Sequence, residues 1–196
     1  NFGDRLTAAI REKNAAVCVG LDPLLERLPK ALRPADSGRT SAQSPVPQAE
    51  QSPGAPGARA TPNQSRDREG AGASAAALVA YGRGVIEAVA PHVPAIKINS
   101  ACFERYYGEG VDAYVELVQE AAEAGLIVIG DCKRGDVGHT AELYAQAHLA
   151  DPDFDNLDHL IAPDAITVNS YLGLDGLKPF LKVCREEGKG VFALVL

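Results

Sequence analysis

Two hydrophobic rhythms alternate along this chain. Phe2, Leu6 and Ile10 recur at helical spacing up to Lys13-Asn14, and the apolar run Ala15 to Leu21 that follows is stopped by Asp22-Pro23, where proline cannot continue a ladder. A second helix is predicted from Ala73 to Ala90, carrying Leu78, Val79, Val85, Ile86 and Val89 and closed by Pro91 and Pro94. Then come a strand at Ala95 to Asn99, a helical stretch from Ala101 to Ala124 interrupted at Gly108-Glu109-Gly110, and a strand at Leu126 to Lys133. Thr140 to Leu149 reads as helix, Ala165 to Asn169 as a fourth strand, Leu174 to Glu187 as helix and Gly190 to Leu196 as a fifth strand. Strands alternating with amphipathic helices of this length predict right-handed βαβ units and a parallel sheet, an α/β fold.

The rhythm fails once. From Asp36 to Gly72 the chain is Pro, Gly, Ser, Ala, Gln and balanced charge, without an aromatic residue and with only Val46 as a larger aliphatic. Such a stretch cannot bury enough apolar area to offset its ordering entropy. Residues 36–72 are therefore read as a disordered surface insertion between 1–35, the first helix and strand, and 73–196, the continuation of the same domain.

Parallel βαβ units build either an open doubly wound sheet or a closed eight-stranded TIM (β/α)8 barrel. Asp22, Lys97 with Asn99, Asp131 with Lys133, and Asn169 sit where four consecutive apolar strands give way to loops. In a barrel all these ends face one mouth, whereas an open sheet gathers its ligand groups at a single switch point. Gly20-Leu21-Asp22 also lacks the glycine spacing of a dinucleotide fold. The expectation is a TIM barrel represented by about its first five βα units. Five strands cannot close a ring of eight, and the sequence stops inside the apolar run Val191 to Leu196, so it reads as truncated on the C-terminal side.

Composition narrows the function classes. The 196 residues are 46% hydrophobic, as in a soluble globular protein, with no apolar stretch of membrane-spanning length and no basic-then-apolar leader after Asn1, which points to the cytoplasm. A net charge of -7 without a basic cluster argues against a nucleic-acid partner. Cys18, Cys102, Cys132 and Cys184 are scattered singly and read as reduced core thiols, and no histidine or cysteine near His139 has metal-ligand spacing, so no metal is expected.

The densest chemistry is Asp131-x-Lys133-x-x-Asp136, at the exit of Leu126, Ile127, Val128 and Ile129. Alternation along a strand puts Asp131 and Lys133 on one face and Cys132 on the other. An unpaired buried ion costs several kcal/mol, so the charges are there either as a structural ion pair capping the strand or for chemistry. Lys97 on the neighbouring strand, with Asp136 folding back from the loop, would complete an alternating Lys-Asp-Lys-Asp network. An ammonium among carboxylates is held in its charged form. That suits Lys133 to donate a proton and not to act as a Schiff-base nucleophile.

Four segments carry a family resemblance: Val19-Gly20-Leu21-Asp22-Pro23, Ile96-Lys97-Ile98-Asn99 with Ala101-Cys102-Phe103-Glu104, Gly130 to Thr140 (GDCKRGDVGHT), and Thr167 to Gly173 (TVNSYLG). Together the chain outside 36–72 resembles orotidine 5'-phosphate decarboxylase, particularly its longer bacterial subgroup. The resemblance implies decarboxylation of orotidine 5'-monophosphate to UMP, the last step of pyrimidine nucleotide synthesis, without a cofactor. It implies that Lys133 delivers a proton to pyrimidine C6 and that Asp131 lies against the substrate carboxylate. Lys97 and Asp22 match residues that hold the ribose hydroxyls. Asp136 and Thr140 match residues that reach a neighbouring subunit's site, which implies a homodimer. Asn169 or Ser170 falls where the family contacts the pyrimidine edge, although many relatives carry proline at the second position. The family's phosphate-gripping loops follow its later strands, so the chain alone is expected to be inactive.

Two rivals define what would be different. A magnesium-dependent sugar-phosphate decarboxylase or synthase shares the Asp-x-Lys-x-x-Asp motif but places an acidic residue near the second strand, where this chain has Lys97. A non-catalytic interaction protein would use the insertion as bait, for which 36–72 has no aromatic anchors.

Overall fold

The computed structural model describes residues 1–34 and 64–195. Its elements are α1 (Phe2–Lys13), β1 (Cys18–Leu21), α2 (Gln64–Val89), β2 (Ala95–Asn99), α3 (Ala101–Glu104), α4 (Tyr107–Glu123), β3 (Ile127–Arg134), α5 (Gly138–His148), β4 (Ala165–Asn169), α6 (Leu174–Glu187) and β5 (Gly190–Leu194). The five strands are all parallel and lie side by side in chain order. A doubly wound sheet reverses its strand order at a switch point, and this one does not. These are consecutive βα units of a TIM-barrel wall, with every strand's carboxyl end along one edge.

The helices cover one face of that wall. α4 turns Ala113, Leu117, Val118 and Ala121 inward, a helical stripe that packs with Leu78 and Ile86 of α2 against Ile96, Ile98 and Val128. A second cluster joins Ala141 and Ala145 of α5 and Phe180 and Val183 of α6 to Ile166 and Val168 of β4 and Cys132 of β3. Below the amino-terminal strand ends, α1 buries none of its residues, yet it is clasped to the sheet. Arg5 pairs with Asp164 and donates to the Gly188 carbonyl at 3.2 Å, and Phe2 meets Phe192 edge-on at 5.9 Å.

Several predicted boundaries move. The first strand begins at Cys18 instead of Ala15, and the fifth ends at Leu194. The interruption expected at Gly108-Glu109-Gly110 lies at Arg105-Tyr106, between α3 and α4. Gly110 serves another purpose: a Cβ there would sit 2.0 Å from the Phe103 carbonyl oxygen, so the residue lets two backbones approach. α2 starts at Gln64 and so takes in residues 64–72 of the expected insertion. Its run Gly70-Ala71-Gly72-Ala73-Ser74-Ala75-Ala76-Ala77 is alanine-rich enough for helix despite the glycines. Residues 35–63 lie outside the described residues, and with them the rest of that reading.

Candidate active site

Asp131 is the centre of the constellation. Only 7% of its side chain is exposed; Oδ2 accepts from Lys97 Nζ at 2.5 Å, and Oδ1 from Lys133 Nζ at 2.5 Å and from the Thr167 hydroxyl at 2.9 Å. Three neighbouring strands supply these groups: Lys97 from β2, Asp131 and Lys133 from β3, Thr167 from β4. Burial pushes the Asp131 carboxyl up, but the hydrogen bonds from Lys133, Lys97 and Thr167 outweigh it and hold the group down at about 2. It is an anion at any physiological pH. Two ammoniums around one carboxylate leave a net positive charge, suited to an anionic ligand, with the Lys133 side chain still 51% exposed.

Lys133 reaches Asp131 by an irregular path. The β3–β4 register shifts between Gly130 and Arg134, and Lys133 takes a φ of 48°, in the left-handed region. Its N–H leaves the ladder and donates to Thr167 Oγ1 at 3.0 Å, so that one hydroxyl accepts from the Lys133 backbone and donates to Asp131. This is a bulge at a sheet's functional edge, which re-aims a side chain. Thr167 was absent from the expected site because threonine in a strand is ordinary for its β-propensity. Two signals pointed to it: its place in the strand next to Asp131 and its place at the head of the Thr167 to Gly173 segment that carries the resemblance.

The remaining predicted residues scatter along the same edge. Asp22, exposed beyond β1, accepts from Asn99 Nδ2 at 2.7 Å, and Asn99 Oδ1 in turn accepts from the Ala101 N–H at 3.2 Å. Asn99 therefore bonds to the first N–H of α3 and links the end of β2 to the loop after β1. Asp136 does not fold back: its carboxylate accepts from the Val137 N–H at 2.8 Å, and among the described residues it pairs with neither lysine. The four-charge network expected within one chain is a three-charge cluster here. Thr140 is exposed in the first turn of α5, Asn169 accepts from the Tyr171 N–H at 2.9 Å, and Ser170 donates to the Leu194 carbonyl at 2.5 Å. His139 is 80% exposed beside Glu142. The groove on the outer helical surface, bordered by Val118, Ala145, Phe154 and Leu181, includes none of the Lys97–Asp131–Lys133 triad.

Residues 53–196 match the Orotidine 5'-phosphate decarboxylase / HUMPS family. The chain belongs to that family. It is 37% identical to the orotidine 5'-phosphate decarboxylase of Rhodopirellula baltica over 194 residues, covering 99% of this chain and 54% of that protein. It is 42% identical to the Streptomyces coelicolor orotidine 5'-phosphate decarboxylase over 121 residues, 62% of this chain and 41% of that one. Among solved structures, Leishmania donovani OMP decarboxylase superposes with a TM-score of 0.59 at 29% identity, over 98% of this chain and 52% of that chain. A Streptomyces avermitilis protein assigned as orotidine 5'-phosphate decarboxylase gives 0.67 at 32% identity, over 100% and 53%. The chain spans about half the length of the curated relatives it matches. Family membership fits the site described above, since the charged cluster lies at the carboxyl edge of a barrel wall, where such folds carry their chemistry.

Proposed function

We propose that the full-length protein decarboxylates orotidine 5'-monophosphate to UMP, with Lys133 as proton donor. The observation that carries this is the buried Asp131 carboxylate holding the Lys97 and Lys133 ammoniums on its two oxygens. Asp131 stays ionised, so a substrate carboxylate placed against it is repelled, and the repulsion is relieved as neutral carbon dioxide leaves. The Lys133 ammonium then faces the carbanion left on the pyrimidine ring, stabilises its charge and hands it a proton. Thr167 fixes the carboxylate from the third side, so neither charge has to reorganise during the step.

The same proposal gives Lys97 and Asp22 the ribose hydroxyls and leaves Asn169 or Ser170 at the pyrimidine edge. It makes the enzyme a cytoplasmic homodimer in which Asp136 and Thr140 serve the neighbouring subunit's site. An Asp136 side chain turned away from its own lysines is compatible with that role. Lys97 also separates this reading from a magnesium-dependent sugar-phosphate enzyme, because an ammonium beside Asp131 repels a dication there.

Lys133→Ala in the full-length protein tests the assignment, with turnover followed by the loss of orotidine monophosphate absorbance. The expected loss is about 10⁴-fold or more in kcat with folding retained. A variant within tenfold of the parent removes Lys133 as the donor, and activity abolished by a chelator moves the protein to the magnesium-dependent branch.

A further inference from the structure

Behind the triad, on the side of β3 that faces the helices, Arg134 is held from three directions. Its Nη1 donates to the Cys132 carbonyl at 2.9 Å, Nη2 pairs with Glu104 of α3, and Nε donates to Nε2 of His148 on α5 at 3.1 Å. The guanidinium also lies over the Tyr144 ring, 5.9 Å from its centre. The bond to Cys132 spans Lys133, so the fork ties the residue before Lys133 to the residue after it. That span is where the backbone enters the left-handed region, which a residue with a side chain occupies only when its surroundings over-determine it. Beyond the bulge, Arg134 returns to the ladder opposite Val168.

We propose that Arg134 is the positioning residue for Lys133, and that Glu104 and a neutral His148 form the latch that keeps it in place. The inference rests on the reading of Lys133 as proton donor. α3 follows β2, which carries Lys97, so the Arg134–Glu104 pair also ties together the two strands whose lysines share Asp131. A lysine at position 134 could not make these contacts, because its single ammonium lacks the planar fork.

The latch depends on the charge of His148. Nε2 accepts from Arg134, and a protonated imidazole would have no lone pair there and would set a second cation against the guanidinium. The groups facing the ring are Arg134 of β3, Glu104 of α3 and the Tyr144 ring of α5. Burial, then Arg134, push His148 below the ordinary histidine value of 6.5, with Glu104 opposing, so the latch is closed at neutral pH.

The test uses the full-length protein with ¹⁵Nζ-labelled lysine, as wild type, Arg134→Gln and His148→Gln. In the wild type the Lys133 ammonium is expected to give a ¹⁵N signal shifted from those of solvated lysines by its pairing with Asp131. Arg134→Gln is expected to lose that signal while Lys97 keeps its own, and kcat falls about 100-fold, the scale of a misplaced reacting group, with little change in KM. Wild-type kcat is expected to decline in acid, on the low side of the ordinary histidine value, whereas His148→Gln, which offers an acceptor that does not titrate, should lose that acid limb. Retention of both the Lys133 signal and kcat in Arg134→Gln overturns the proposal, as does an acid limb that persists in His148→Gln. Should Arg134→Gln fail to fold, the His148→Gln profile decides. If the wild type itself does not turn over the nucleotide, the decarboxylase reading fails, and the ammonium signals still report whether Arg134 positions Lys133.

Discussion

Asp164, just before β4, and Asp131, near the end of β3, each gather a cation from an element distant in sequence, but they finish their hydrogen bonding differently. Asp164 takes Arg5 on Oδ1 and the backbone N–H of Val128 on Oδ2 at 2.8 Å, and Arg5, itself half-exposed, also donates to the Gly188 carbonyl at 3.2 Å, so both partners are tied to backbone at the amino-terminal edge of the sheet. Asp131 takes two lysine ammoniums and a hydroxyl and, among the described residues, no backbone N–H. The lysine side chains remain 32% and 51% exposed. One aspartate is thus spent on holding the amino-terminal helix, and the other keeps its cations within reach of a ligand. Charge and burial alone do not separate the two roles. What separates them is whether the partner groups are free to meet something else.

The largest way to break this comparison is Asp131→Ala in the full-length protein. It removes the negative charge that the proposed reaction works against and leaves two ammoniums without a common partner, and kcat is expected to fall on the order of 10³-fold or more. The lysines are open enough to be solvated, so the stability loss should be the smaller effect. Asp164→Ala is the counterpart. It orphans the N–H of Val128, which is 1% exposed, and releases Arg5, at a cost of about 2–3 kcal/mol in denaturant unfolding. Its kcat per folded molecule should match the parent. A rate loss in Asp164→Ala beyond a few-fold would mean that the two ends of the barrel wall are not separate in function.

Acid sharpens the contrast from the stability side. Asp131 is held at about 2 against an ordinary 3.8, so the unfolded chain binds a proton between these values that the native state refuses. The resulting stabilisation, about 2 kcal/mol, is fully present above pH 3.8 and is lost as pH falls towards 2. Unfolding free energies measured across this window should slope less in Asp131→Asn than in the parent. Equal slopes would mean that the lysines do not hold the carboxylate ionised.

Most of the wall was legible from hydrophobic rhythm. β4 and α6 keep their predicted limits, Ala165–Asn169 and Leu174–Glu187, because Pro163, Gly173 and Gly188 punctuate them strongly. The Asp131–Lys133 pairing was also foreseen, yet by a route the backbone does not follow. Simple alternation put both on one face, whereas the bulge and the left-handed Lys133 bring them together. Alternation is a property of regular strands, and a register shift depends on contacts such as Thr167 and Arg134 that lie 34 residues away or one residue along, with no local signature. Gly110 misled for a similar reason. A glycine that admits a neighbouring backbone looks, in one dimension, like a glycine that ends a helix.

The smallest expected effect concerns the connection between β1 and α2, which leaves the sheet at the same edge as the triad. Deleting residues 36–63 spares α2 from Gln64 onward, while a deletion running to 72 would cut away its first turns, including the Gly70 carbonyl that accepts from Ser74 Oγ at 2.8 Å. The deleted stretch holds no aromatic residue and only Val46 among larger aliphatics, so it has little apolar area with which to support either the site or the fold. Turnover and the unfolding midpoint of the shorter deletion should both lie close to those of the parent, with the longer deletion less stable than the shorter one. If kcat instead drops tenfold or more in the 36–63 deletion while the unfolding midpoint holds, the mouth of the barrel draws on a segment whose composition gave no sign of it, and the catalytic end extends beyond the three strands that carry Lys97, Asp131, Lys133 and Thr167.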